Sequence, residues 1–188
     1  MESFKIDGSS DRDFEIRIDE VAEISAELVR TLIEIDLQTF SESTLSPYSV
    51  AAFLKGGRVY LLRANDLVIG SCVCIRGWDR PNEAMILSMA IRPGWRGRGL
   101  GQRFVSGVLD RLRTRGLRNC SLLVGEENRR AVKVYQDVGF RAVEQRDIDP
   151  QHRDVLVLMR INLAREDEAP VIELPDTRLV SRHDPSDL

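Results

Sequence analysis

Along this chain the spacing of apolar residues switches between the two-residue period of a strand and the 3.6-residue period of a helix. Phe14-Glu-Ile-Arg-Ile18 alternates like a short strand, and Val21 to Leu37 carries Ile24, Leu28, Leu32 and Ile35 along one helical face. Ser46-Pro47 has the composition of a helix start, and that helix should end at Gly56-Gly57. Arg58 to Ala64 and Leu67 to Ile75 are β-rich runs joined by Asn65-Asp66, which reads as a hairpin. Asp79-Arg-Pro-Asn82 is a turn leading into a strand from Ala84 to Ile91. Leu100, Phe104, Val105, Val108, Leu109 and Leu112 then form one apolar helical stripe, closed by Gly116. Cys120 to Val124 is a strand, Asn128 caps a helix running to Val138, and Phe140 to Glu144 and Val155 to Ile161 complete the set. Strands interleaved with helices predict an α/β (α+β) arrangement, a sheet with helices on its faces.

Bulk properties fit one compact domain: 188 residues, 43% hydrophobic and 30% charged, bury a core without staples. Residues 1–161 are read as that domain. From Asn162 to Leu188 the chain has seven acids, three arginines and three prolines with no sustained period, so 162–188 is expected to be an acidic, mobile tail. Val171-Ile-Glu-Leu174 is the one stretch of it able to add an edge strand or to support a homodimer. The apolar runs are far shorter than a membrane span, and Met1-Glu-Ser-Phe-Lys-Ile-Asp7 lacks the basic and apolar regions of a signal peptide; the expected compartment is the cytoplasm, with no membrane partner. Cys72, Cys74 and Cys120 fall on strands and suit small buried hydrophobes, and with His152 and His183 as the only imidazoles no metal is expected.

Charge is unevenly distributed. The formal net charge is −3, yet Arg92 to Arg118 holds eight arginines and one acid, Asp110. Arg103, Arg111, Arg113 and Arg115 suit either a solvated helix face or an anion site. No aromatic residues are interleaved for stacking on single strands and no helix-turn-helix layout is present, so nucleic acid is not expected as a partner. Arg96 and Arg98 differ from the rest because they sit within Arg96-Gly-Arg-Gly-Leu-Gly-Gln102, between a strand and a helix. Gly97, Gly99 and Gly101 let the backbone approach an anion, toward which a new helix turns its unpaired N–H groups. Gln102 stands where a dinucleotide fingerprint needs glycine, and no Gly-Lys-Ser/Thr follows for a P-loop.

The remaining pattern is Arg96-x-x-Gly99-x-Gly101, followed 27 residues later by Asn128-x-x-Ala131-x-x-x-Tyr135-x-x-x-Gly139-Phe140. Together these resemble the acetyl-CoA-binding motifs of the GNAT superfamily of N-acetyltransferases, over roughly Tyr60 to Ile161. The layout is most similar to the ribosomal-protein-alanine N-acetyltransferase branch. The resemblance implies the acyl-CoA N-acyltransferase fold, a mixed and mostly antiparallel sheet whose fourth and fifth strands run parallel and splay. It implies acetyl-CoA as cosubstrate, with Met89, Ala90 and Ile91 bonding the pantetheine arm and acetyl carbonyl through the main chain. Gly97, Arg98, Gly99, Leu100, Gly101 and Gln102, with Arg96, would hold the pyrophosphate. Asn128 would contact the pantetheine arm while capping its helix, and Tyr135 would protonate the departing thiolate. Read without the motif, Asn128 is a helix cap and Tyr135 a core tyrosine.

The glutamates that serve as general base in related branches have no counterpart: the corresponding positions are Leu123 and Met85. Glu83, on the same strand face as Met85, is the candidate to act directly or through a water, with Glu126 and Glu127 behind it. An amine of low basicity would need no base. His152-Arg-Asp154 before the last strand resembles the peptide-acetylating branch, but its paired tyrosines are missing from Arg146-Asp-Ile-Asp-Pro150. Asp147, Asp149 and Asp154 suggest a cationic acceptor, so a small-molecule amine and a peptide or lysine amine both stand as substrates. The expected activity is acetyl transfer by direct attack in a ternary complex. A non-catalytic acyl-CoA-sensing module on the same scaffold is the alternative.

Overall fold

A computed structural model describes residues 3–6, 14–40, 45–78, 80–149 and 154–164, with backbone alone for 3–6, 145–149 and 154. Eight strands form one sheet in the order β1-β2-β3-β4-β5-β6-β8-β7. They are β1 (Ser3–Ile6), β2 (Phe14–Glu20), β3 (Gly57–Ala64), β4 (Leu67–Arg76), β5 (Glu83–Ile91), β6 (Asn119–Gly125), β7 (Arg141–Asp149) and β8 (Asp154–Asn162). The helices are α1 (Ala26–Thr39), α2 (Pro47–Gly56), α3 (Leu100–Thr114) and α4 (Arg129–Val138), with a single 3₁₀ turn at Pro93–Trp95. Every neighbouring pair is antiparallel except β5 and β6. The only parallel step thus requires a crossover, and α3 supplies it.

Each face of the sheet carries its own core. On one face α3 and α4 cover Ile16, Tyr60, Leu62, Ile69 and Cys72; on the other, α1 and α2 cover Val59, Leu61 and Val73. The α3 stripe of Leu100, Phe104, Val105, Val108, Leu109 and Leu112 is buried as its spacing predicts. Six such side chains contribute on the order of 10 kcal/mol of transfer free energy before chain entropy is charged against it. The Cys72, Cys74 and Cys120 thiols are free and buried in this layer, and burial pushes the Cys120 thiol upward. The hairpin between β3 and β4 turns at Asn65, whose φ of 51° is the left-handed region that Asn tolerates.

Several boundaries differ from the sequence reading for local reasons. Helix α1 begins at Ala26, where the Ser25 hydroxyl accepts the Leu28 N–H at 3.1 Å. Val21 instead continues the strand by donating to the Val59 carbonyl, and Ile24 is left 51% exposed outside the helix. Strand β1, only four residues long, was not predicted, and β7 runs five residues past Glu144. The described residues continue past the expected domain boundary: Leu163 is buried and its N–H donates to the Arg118 carbonyl. The rest of the predicted tail, 165–188, lies outside the described residues, as does His152. Among the described residues no helix is long and apolar enough to cross a membrane.

Candidate active site

The site begins with one residue too many in β5. Val73 of β4 faces Ser88 and Cys74 faces Ile86, so Leu87 has no partner and forms a bulge. The alternation changes parity there: Ala84 and Ile86 point into the α3/α4 core before the bulge, and Met89 and Ile91 do so after it. Pairing between β5 and β6 stops at the same level, with Ile86 opposite Leu122, while β6 stays paired to β8 through Gly125. The two parallel strands therefore splay beyond Ile86, as the resemblance implied.

A cleft of about 270 Å³ occupies the splay. Its lining comes from both sides of the sheet: Asn128, Ala131 and Tyr135 from α4, Phe40 from the end of α1, and Leu87, Ser88, Met89, Leu122, Leu123, Val124 and Gly125 from the strands. The cleft thus offers one approach past α3 and α4 and another past α1. The Arg92 N–H donates to the Ile69 carbonyl on β4, and by strand alternation Ala90 also turns its main-chain groups toward β4. Of the three residues expected to bond the pantetheine arm, Met89 and Ile91 turn their main chains away from β4, Met89 lining the cleft and Ile91 lying beyond it with its carbonyl bonded by Arg96, and Ala90 turns its main chain toward β4. A larger, shallower depression of about 630 Å³ lies between Glu20, Ser25, Arg63 and Arg111, remote from this chemistry. Its Arg63 and Arg111 are already committed to Asp19 and the Ile18 carbonyl.

Just past β5 the chain makes the glycine loop. Gly97 and Gly99 have φ of 80° and 70°, and an added Cβ at either would meet nothing within 4 Å. Gly99 caps α3 without a side chain, so the N–H groups of Leu100, Gly101 and Gln102 start the helix unpaired and face open space. Gly101 is helical; a Cβ there would touch Val134 of α4 at 3.7 Å. Arg130 lies one turn before Val134 on the same face of α4, about 6 Å from it along the helix axis. It is exposed and makes no ion pair among the described residues.

Arg96 and Arg98 turn out to have structural contacts. Arg96 Nε donates to the Ile91 carbonyl at 2.8 Å, fastening the loop to the strand end. The Arg98 guanidinium lies 5.3 Å from the Trp95 ring centroid, and Trp95 packs edge-on against Phe14. Further along, Arg111 donates to the Ile18 carbonyl, Arg113 to the Leu163 carbonyl, and Arg115 to both Glu20 oxygens. Much of the arginine-rich segment therefore ties α3 to β2 and to the end of β8.

Tyr135 is 7% exposed and packs edge-to-face with Phe140 at 5.7 Å between centroids. Its hydroxyl makes no hydrogen bond among the described residues and, unlike that of Tyr60, is not sealed from the cleft. Burial, and then the neighbouring Cys72 and Cys120 thiols, push its pKa upward. The phenol therefore stays protonated at neutral pH, as a proton donor requires. Asn128 Oδ1 accepts the Ala131 N–H at 3.2 Å. The cap is real, and the amide N–H₂ group of the same side chain is left for the cleft.

Glu83 is not at the cleft. It opens β5, three residues before Ile86, where it pairs with Arg80 at 3.3 Å and Arg160 at 3.7 Å and keeps only 13% side-chain exposure. The expectation that it acts as base is corrected on distance: four residues of strand separate it from Leu87 by about 13 Å. Glu126 and Glu127 lie in the turn after Gly125 and do not line the cleft either. The side chains of Asp147, Asp149 and Asp154 lie outside the described residues. Two contributors escaped sequence reasoning, Phe40 and the Leu87 bulge. Phe40 had a faint signal as an apolar residue just past a helix end.

A sheet splayed at its one parallel step, a glycine-loop helix start and a tyrosine between them define an acyl-CoA-dependent acyltransferase fold. Residues 25–140 match the model of the acetyltransferase (GNAT) family, and the chain belongs to that family. It is similar to the ribosomal protein bS18-alanine N-acetyltransferase of Haemophilus ducreyi, 26% identical over 124 residues, which are 62% of this chain and 83% of that protein. Its fold matches the ribosomal-protein-S18-alanine N-acetyltransferase of Escherichia coli with a TM-score of 0.69 at 19% identity, over 82% of this chain and 99% of that one. A Bacillus subtilis acetyltransferase solved in complex with CoA superposes with a TM-score of 0.63 at 20% identity, over 79% and 99%.

Proposed function

We propose that this enzyme transfers the acetyl group of acetyl-CoA to a primary amine, the two substrates meeting in the β5–β6 cleft. The observation that carries the reading is the cleft at the β5–β6 splay, lined from both α1 and α4 and holding Tyr135, together with the start of α3 that has no side-chain cap. The pyrophosphate fits against the main chain of Gly97 to Gln102, where open space and unpaired N–H groups coincide. Arg98 and Arg130 flank that position with positive charge. The pantetheine arm would extend along β5, bonding the outward main-chain groups of Met89 and the Ile91 N–H much as an added strand would. The Asn128 amide is placed to contact its far end.

The amine would approach from the Phe40 side and attack the thioester carbonyl. Tyr135 Oη supplies the proton that the departing thiolate takes up. An open cleft holding an unbonded, protonated phenol favours turnover over a purely sensing module. Thermal melts with acetyl-CoA, CoA and dephospho-CoA test the cofactor assignment. Ligand at about a hundred times its dissociation constant should add roughly 2.7 kcal/mol of stability. The shift should shrink without the 3′-phosphate, and its absence at millimolar acetyl-CoA would remove the assignment.

A further inference from the structure

We propose that the acidic start of the C-terminal segment, Glu166 to Leu174, docks on the arginine-rich end of the sheet that carries Trp78, opposite the end where the cleft opens. The inference is independent of the acetyl-transfer reading. Three hydrogen bonds fix where this segment leaves the fold. The Leu163 N–H donates to the Arg118 carbonyl, Arg113 Nε donates to the Leu163 carbonyl at 3.1 Å, and Asn162 Oδ1 accepts the Ala164 N–H at 2.8 Å. The Arg118 N–H in turn donates to the Asn82 carbonyl at 2.8 Å, so Leu163, Arg118 and Asn82 lie side by side. Asn82 closes the connection between β4 and β5. Trp78 stands four residues before it in the same connection, no more than about 14 Å away.

Trp78 is 97% exposed, the most open of the large apolar side chains among the described residues. An indole left in water holds a large apolar surface that contributes strongly once it is covered. The charge around it is positive. Arg76 is exposed, donates from Nε to the Pro81 carbonyl and forms no ion pair among the described residues. Arg80 and Arg160 share the one carboxylate of Glu83, and Arg113 and Arg118 bracket the exit of the chain.

The segment that follows has the opposite charge. Glu166-Asp-Glu168 begins two residues past Ala164, and Val171-Ile-Glu-Leu174 comes next. Residues 165–188 carry seven acids against three arginines, a formal −4 within a total of −3, which leaves +1 for residues 1–164. Val171 is seven residues past Ala164, a reach of up to about 24 Å, enough to pass Arg118 and Asn82 and arrive at Trp78. The acids then lie along the arginines, and Val171 and Ile172 cover the indole. Tethering favours this occupant over a free acidic peptide, because a short linker holds its segment at roughly millimolar effective concentration.

The test uses the full chain carrying Val171→Cys labelled with bimane, a fluorophore quenched on contact with tryptophan. Cys72, Cys74 and Cys120 are buried and stay unlabelled. If the segment is docked half the time or more, replacing the quencher by Trp78→Phe should raise emission at least about twofold. The exposure of Trp78 means that this variant keeps the fold. Emission should rise likewise in Glu166→Gln/Asp167→Asn/Glu168→Gln, and in about 1 M NaCl, where the Debye length falls to about 3 Å. Equal emission with tryptophan and phenylalanine at 78 overturns the proposal, and so does quenching that neither the three amide substitutions nor salt relieves. Quenching that fades on dilution assigns the surface to the tail of a second copy and overturns docking within one chain.

Discussion

Replacing Gly101 with alanine should stabilise the protein, and the same replacement two residues earlier, at Gly99, should destabilise it. Gly101 is helical, and a methyl group there would rest in ordinary contact with Val134 at 3.7 Å and Ile91 at 3.9 Å. Alanine in a helix is worth about 0.5–1 kcal/mol over glycine. At Gly99 the φ of 70° remains whatever side chain is present, and a left-handed conformation costs an alanine about 1–2 kcal/mol. The two variants should therefore differ by about 2 kcal/mol, which for a domain of this size is about 4–8 °C in Tm. Urea and thermal unfolding of the free protein measure this, and titration with acetyl-CoA measures the second consequence. Alanine at 101 keeps its N–H and should bind acetyl-CoA nearly as the parent does. Glutamate at 99 brings a carboxylate to roughly 4 Å from the diphosphate, about 4 kcal/mol of repulsion at an effective dielectric constant of 20, or on the order of a thousandfold in affinity. Equal stabilities for the two alanine variants, or unchanged affinity in a folded Gly99→Glu protein, would refute the reasoning.

Tyr135→Phe should lower kcat by about 100-fold while leaving acetyl-CoA affinity within a few-fold, as expected for a general acid; an unaltered kcat returns Tyr135 to a packing role. Arg130→Ala should weaken acetyl-CoA about 5- to 10-fold and reduce the salt sensitivity of binding, since it removes an exposed cation beside the phosphates; equal affinities by calorimetry would leave Arg130 on a solvated face. Burial and then the Glu20 charge push the Tyr60 hydroxyl up to about 12. Its contribution is therefore complete below about pH 10, the unfolded value, and falls away as pH rises from 10 toward 12, by roughly 2–3 kcal/mol. Tyr60→Phe removes a buried hydroxyl that has no good hydrogen bond; it should be neutral or stabilising at pH 8 and should flatten the alkaline loss in urea melts, and a steep loss in the variant would place the titration elsewhere.

Much of this was readable before the fold was known, because it resides in periodicity and in residues with special backbone demands. The α3 stripe, the Asn65-Asp66 hairpin, the Asn128 cap and the left-handed glycines each carry a local physical signature. Ser25 carried one too, and a stricter reading of caps would have started α1 there. Other features are tertiary. Phe40 reaches the cleft because α1 crosses β5, and the Arg130 face of α4 meets α3 because Val134 packs at Gly101, neither of which follows from spacing along the chain. Glu83 was assigned to the correct strand, but its distance from the reacting atoms depends on where β5 leaves β6. Arg96 and Arg98 looked dedicated to an anion because the Ile91 carbonyl and the Trp95 ring, their partners, are close in space without any pattern that marks them.

The unpaired Leu87 makes this site sensitive to counting more than to chemistry. Leucine, methionine or valine in its place leaves the same number of residues between Ile86 and Ser88, so the strand beyond still shows Met89 and Ile91 to one face and Ser88 and Ala90 to the other. Removing that residue would leave Ser88 opposite Val73 and Met89 opposite Cys72 with every later side chain on its present face, but it would straighten β5 into a regular strand free to pair on toward Gly125, closing the gap in the sheet. Point mutation can tune the walls of the cleft, but the opening itself is reached only by insertion or deletion. A single-codon deletion at 87 should therefore be more damaging to acetyl transfer than any single substitution at that position.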